Sequence, residues 1–289
     1  MAWTSTVLCS PIVIIKMADI LNKVADKAND AAEGLLGGKF TVGVSAPLLG
    51  TFALWVILGV VLGWFLTDNR MVYAAFVLTG WSFCVLVHEM GHAAFASWSG
   101  DGSVKDYTNG NFIAWGTIVN NYIAPVCATF VFGLGIHGGI TWLDEARMFL
   151  AGDTKRIITA FGGIIFSLSF SLILAIPLWI LSDHVTWVYC GIAVLIYFNA
   201  IATILNLIPF PPMDIFNVIF PLLPNSAQAF VTQWTANKWY SLGLLLIVIL
   251  IAWALGDLVG SLAWGICDLL FLKDEAAVGL GRFYVLLGR

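Results

Sequence analysis

Residues 88–92 read His88-Glu89-Met90-Gly91-His92 and lie inside the stretch 71–98, where Glu89 is the only formally charged residue. Two histidines four apart on a helix project from one face, the spacing at which two imidazoles grip a single zinc ion. Glu89 sits beside them, positioned to take a proton from an attacking water. An ionisable group deep in an apolar helix costs at least ~2.5 kcal/mol, so a pair of helix-packing histidines with an idle Glu is a poor account of these residues. The chemistry they point to is metal-assisted hydrolysis.

A catalytic zinc keeps three protein ligands and one open position, so a third donor is needed. Downstream candidates are few. Glu145 lies in the polar run Asp144-Glu145-Ala146-Arg147 and Glu275 lies near the end of the chain, whereas Asp214 closes the segment Asn206-Leu207-Ile208-Pro209-Phe210-Pro211-Pro212-Met213-Asp214. The prolines break a preceding helix and leave a carboxylate on irregular backbone at membrane depth, which is tolerated only where it lines a protein cavity. Asp214 is the expected third ligand; the other reading is an interfacial Asp that caps the helix starting at Ile215.

The elements that must position these groups are membrane elements. Of 289 residues, 60% are apolar and only 10% charged, with a mean hydropathy of +0.94. So few charges cannot coat a soluble exterior, and a multi-pass membrane protein follows. The formal charge of −4 offers no basic footprint for nucleic acid. Five cysteines stand singly in apolar stretches with no metal-type spacing and read as buried thiols. No basic segment precedes the short apolar run 7–15, so the first span is expected to serve as the membrane address.

Residues 1–45 form a polar N-terminal segment with an amphipathic surface helix, residues 46–225 the membrane core, and residues 226–289 one or two further membrane segments and a tail. Residues 46–66, 71–98, 157–181 and 185–208 are each long enough to cross about 30 Å of hydrocarbon. The longer apolar run 239–271, broken by Gly256-Asp257 and Gly260, crosses once or twice. The fold class is therefore an all-α polytopic membrane protein of about five or six transmembrane helices.

Residues 122–143 are apolar too, but Pro125 and Gly133, Gly135, Gly138 and Gly139 stand there among β-branched and aromatic residues. Topology decides their role. His88 and His92 lie in the C-terminal half of the second span and Asp214 lies past the fourth, so an even number of crossings must separate them if they share one ion. The spans at 157–181 and 185–208 supply two, which leaves residues 122–143 as a re-entrant or surface hairpin. With the N-terminus cytoplasmic and two crossings over 239–271, Arg70 alone among the Lys and Arg residues falls outside, as the positive-inside bias requires.

An intramembrane HExxH on the second span, joined to a distal N-x-x-P-x-P-x-x-D, resembles the site-2 protease family of membrane-embedded zinc metalloproteases. Gly135-Ile136-His137-Gly138-Gly139-Ile140-Thr141 is similar to that family's Gly-Gly hairpin, and Ala160-Phe161-Gly162-Gly163-Ile164-Ile165 to its A-x-G-P-L-x-N helix start. The resemblance covers roughly residues 50–225. It implies Zn2+ held by His88, His92 and Asp214, Glu89 as the catalytic base, and substrate contacts at Gly138, Gly139, Asn206 and Pro209. It further implies a transmembrane-helix protein as substrate, cleaved within the lipid bilayer. The chain departs from the family pattern at Gly163, Phe166 and Ile215, which replace Pro, Asn and Gly.

Those departures keep a second reading open, a catalytically silent member of the fold acting as scaffold or subunit among membrane-protein partners. A transporter is a third, since intramembrane His and Asp also serve ion pathways. ATP-driven proteolysis is excluded by the absence of a G-x-x-x-x-G-K-[ST] loop. His137 reads as a surface or supporting histidine, and Asp257 as an intramembrane acid without a nameable partner.

Overall fold

The computed structural model describes residues 46–99, 153–180, 186–211, 213–236 and 254–286, with a few single positions between them. Within them every regular element is helical. α1 spans Ala46–Val60 and runs on as a π-helical turn over Val61–Phe65; α2 spans Arg70–Ser99, α3 Asp153–Ile180 and α4 Trp187–Asn206. After the proline segment come α5 at Asp214–Ile219 and α6 at Asn225–Ala236, followed by α7 at Gly256–Leu269 and α8 at Lys273–Leu286. Four of these helices, α1 with its π turn and α2 to α4, are long and apolar enough to cross a bilayer.

Helix boundaries follow local chemistry. Asn69 Oδ1 accepts hydrogen bonds from the backbone N–H groups of Met71 and Val72, and Thr186 Oγ1 accepts from Tyr189 N–H, so each helix entry satisfies donors that have no intrahelical partner. α4 ends where the prolines begin, and residues 207–211 and 213 lie in short turns and bends such as Met213 N–H to Phe210 O.

Of the four candidate spans α4 is the most enclosed, while α1 lies at the periphery. Phe198 of α4 meets Trp81 of α2 edge to face, with ring centroids 5.8 Å apart, and both rings are fully buried. The outer faces carry Phe52, Leu54 and Ile57 on α1 and Leu172, Ile173 and Ile176 on α3, all exposed. Such stripes are the natural complement of hydrocarbon.

Among the described elements, α2 and α3 make the most extensive contact. Gly91 and Gly162 face each other across it, and a Cβ on either would strike the other's backbone carbonyl. Only glycine at both positions lets the two backbones approach this closely.

α8 is a packed element: Ala276, Gly279, Leu280 and Phe283 are buried, and Gly279 O accepts a 2.9 Å hydrogen bond from Tyr73 Oη. Arg282 lies 3.8 Å over the Trp187 ring and bonds Asp68 Oδ1 at 2.9 Å and Asp68 O at 2.7 Å. Asp68 precedes α2 and neighbours Arg70, so Arg282 stands at the bundle end where α2 begins, far from His88 and His92. Trp179 Nε1 donates to Leu270 O at 2.8 Å, which brings the α7–α8 turn to that same end. Two crossings over residues 239–271 would put Arg282 at the histidine end, whereas the described residues place it beside Asp68; most of residues 237–253 lie outside the described residues.

The hairpin assigned to residues 122–143 lies outside the described residues, apart from Ile123, residues 125–127 and Thr129, which are helical. The amphipathic helix of residues 1–45 lies outside them as well, except for Lys23.

Candidate metal centre

Two consecutive turns of α2 carry His88 and His92, both buried, with their ring centroids 4.8 Å apart. Their Nε2 atoms stand 3.2 Å from one another. Asp214, the first residue of α5, completes the group: Oδ2 is 3.2 Å from His88 Nε2 and Oδ1 is 3.2 Å from His92 Nε2. No side chain caps the start of α5, so the capping reading of Asp214 does not hold: its carboxylate turns toward the imidazoles instead.

Each imidazole is held from behind by α3. His92 Nδ1 is 2.9 Å from Thr159 O, an atom that can only accept, so Nδ1 carries the proton and Nε2 presents its lone pair to the centre when the ring is neutral. His88 Nδ1 is 3.0 Å from Ser167 Oγ. Between these two supports Gly163 faces the rings, and a Cβ there would press on both imidazoles.

Two imidazoles and a carboxylate, all side chains of metal-ligating type, come close enough together here to share one cation. Ligand atoms about 2.0–2.1 Å from a tetrahedral zinc lie about 3.3 Å from each other. The 3.2 Å between the two Nε2 atoms matches one edge of such a polyhedron, and the two Asp214 oxygens, each 3.2 Å from a different imidazole, bring the carboxylate within reach of the same ion. Among the described residues, His88, His92 and Asp214 are the group of metal-type side chains able to hold an ion together. Burial raises the Asp214 carboxyl, but the charge of His92 and hydrogen bonds with His88 and His92 outweigh it and hold the group below the usual carboxylate range.

Glu89 is buried on the same helical turn, close enough for its charge to act on His92. Asn206 is buried at the last turn of α4, and Pro209 is exposed on the irregular segment leading to Asp214. Gly138, Gly139 and His137 lie outside the described residues, as does Glu145. Glu275 belongs to α8, where its charge acts on Tyr189 and Cys190 near the first turn of α4, away from the histidines. Asp257 is exposed in the first turn of α7. Cys84, Cys190 and Cys267 are buried free thiols as expected, whereas Cys127 is exposed.

Sequence reasoning missed the support behind the histidines. Thr159 acts through its backbone and leaves no trace in residue type. Ser167 and Ser171 on α3, and Asn199 and Thr203 on α4, are buried polar pairs one turn apart in apolar helices, a pattern visible in the sequence as spacing alone.

Comparison with known proteins finds distant homology to proteins that carry the name of a zinc metalloprotease. It is 29% identical over 185 residues to "Putative zinc metalloprotease Rip2" of Mycolicibacterium smegmatis, covering 61% of this chain and 66% of that protein. It is 26% identical over 261 residues to the Mycobacterium tuberculosis H37Rv protein of the same name, covering 86% of this chain and 97% of the relative. No protein-family model matches the chain, and no solved structure matches it significantly. The relatives are members of the site-2 protease family, the family that the HExxH and N-x-x-P-x-P-x-x-D segments resemble.

Proposed function

We propose that this chain, a distant homologue of the Rip2 zinc metalloproteases, is itself an intramembrane zinc endopeptidase hydrolysing peptide bonds in or near the transmembrane segments of membrane-protein substrates. The observation that carries this reading is the convergence of His88 Nε2, His92 Nε2 and the Asp214 carboxylate, whose Oδ2 and Oδ1 each stand 3.2 Å from one imidazole nitrogen, in a buried group beside Glu89. Zinc, when bound, supplies a Lewis acid that polarises a carbonyl oxygen and makes water acidic near neutrality.

The chain's own residues do the rest. His88 and His92 offer Nε2 while Ser167 and Thr159 engage the opposite ring nitrogens, which fixes ring orientation before an ion arrives. Asp214 contributes one negative charge and so lowers the net charge of the loaded centre. Glu89 accepts a proton from the attacking water and returns it to the departing amine. A substrate helix conceals its peptide bonds in its own hydrogen-bond ladder, so it must unwind locally before attack. The non-helical backbone around Pro209, next to Asn206, is the described segment best suited to receive an unwound strand, and Gly138 and Gly139 are assigned to the same task. Attack takes place toward the cytoplasmic face, to which the N-terminus is also assigned.

Phe166 favours a second reading. Its ring meets Phe95 edge to face at 6.3 Å, so the position where the family pattern carries Asn is filled by apolar packing, as in a silent scaffold. Cleavage of a helical membrane reporter by the purified protein separates the two. Wild type should cut it, and Glu89→Gln should bind zinc equally well while losing roughly 10²–10⁴-fold in rate, the usual worth of a general base. Equal rates in both proteins, or no cleavage by either, would remove the enzyme reading and leave the scaffold.

A further inference from the structure

A buried polar ladder runs from α4 through α3 to His88. Thr203 Oγ1 donates to Asn199 O at 2.8 Å; Asn199 Nδ2 donates to Ser171 Oγ at 2.8 Å and to Ser167 O at 2.7 Å; and Ser167 Oγ stands 3.0 Å from His88 Nδ1. All five residues are buried, and Asn199 is 1% exposed. Its Oδ1 has no hydrogen-bond partner among the described residues, so this amide leaves one of its own acceptors unmet while both contacts of its Nδ2 reach α3.

Packing alone does not explain the ladder. A buried amide in an apolar bundle is costly unless its geometry is used, and an aliphatic side chain of similar volume would fill the same space without an orphaned acceptor. What the amide achieves is register. Ser167 O is the carbonyl of the residue whose hydroxyl meets His88, so Asn199 fixes the height of that turn of α3 against α4. The chain leaving α4 then leads directly to Asp214. One side chain on α4 thereby ties the support of the first imidazole to the helix that delivers the carboxylate.

Resting on the metal-centre reading above, we infer that Ser167 and Asn199 are positioning residues for the ion: Ser167 holds the His88 ring, and Asn199 holds Ser167 in register with the α4 helix that carries Asp214 into place. His92 needs no such device, because a backbone carbonyl already serves it. The two imidazoles thus differ in how they are held, and only the His88 support can be removed by changing a side chain.

The test uses the purified full-length protein with zinc delivered from a competing chelator, together with the visible spectrum of the Co2+-substituted protein. Ser167→Ala should weaken zinc binding about 10–100-fold, the usual worth of a hydrogen-bonding partner behind a ligand. It should also alter the cobalt bands, with helical content and thermal midpoint close to wild type. Ser167→Thr, which keeps the hydroxyl, should restore both. Asn199→Leu should weaken zinc binding and shift the same bands, whereas a purely structural role would lower the thermal midpoint and leave the bands of the folded fraction unchanged. Wild-type affinity and spectrum in Ser167→Ala would overturn the inference while leaving the metal centre intact. Failure of the wild type itself to bind Zn2+ or Co2+ would instead overturn the centre on which it rests.

Discussion

His88 Nε2 and Asp214 Oδ2 stand 3.2 Å apart although one lies on the second long helix and the other beyond the fourth. The contact depends on two features that act at a distance from it. Gly91 and Gly162 let α2 and α3 touch through their backbones, and the proline segment after Asn206 turns the chain back toward α2 before α5 begins. Asp214→Ala should consequently lower zinc affinity by more than the roughly 10–100-fold expected for a mere supporting contact, and Asp214→Asn by a similar amount because the charge is gone. Chelator competition on the two variants measures it, with the helical content checked alongside.

Gly163 tests how little room the centre has. Since an added Cβ would bear on both imidazoles, Gly163→Ala should cost about 1–3 kcal/mol of strain, relieved by displacing the rings. Zinc affinity should fall at least tenfold while the α2–α3 contact survives. Gly162→Ala, whose Cβ meets the Gly91 backbone instead, should lower the thermal midpoint of the whole protein. The comparison of affinity with midpoint in the two variants distinguishes crowding of the site from separation of the helices.

How much of this was legible beforehand follows from what each feature depends on. His88, Glu89 and His92 are adjacent, and helix geometry alone gathers them. Asp214 was reached by elimination among a few carboxylates, helped by the prolines that exposed it. The four spans were readable because hydrophobic length needs no partner to interpret. Thr159 and the fit of Gly163 were not, because a carbonyl's direction and a missing Cβ acquire meaning only when another helix is placed against them. The place of Arg282 beside Asp68 was not legible for a related reason. Charge bias weighs every Lys and Arg alike, whereas this guanidinium is committed to Asp68 and to the Trp187 ring.

That commitment gives a prediction for the C-terminal helix. Arg282 is largely buried while Asp68 is exposed, so the ion pair contributes little and the stacking on Trp187 contributes more, about 0.5–2 kcal/mol. Arg282→Ala should therefore destabilise α8 more than Asp68→Asn does. Hydrogen exchange of the α8 amides, compared between the two variants, reads out the difference.

Binding of a metal to the folded state alone must also stabilise it. Free zinc at about 100 times its dissociation constant should add about 2.7 kcal/mol. Detergent-solubilised wild type should show a raised thermal midpoint on zinc addition and a return to the starting value with chelator. His88→Ala, which lacks one of the two imidazoles, should show neither change over the same range.

The most direct measurement is zinc K-edge X-ray absorption of the purified protein. The account predicts one zinc per chain with nitrogen and oxygen neighbours at about 2.0–2.1 Å, two of them imidazoles, and an altered shell or no zinc in Asp214→Ala. Sulfur neighbours at about 2.3 Å, or a spectrum unchanged by that substitution, would contradict it.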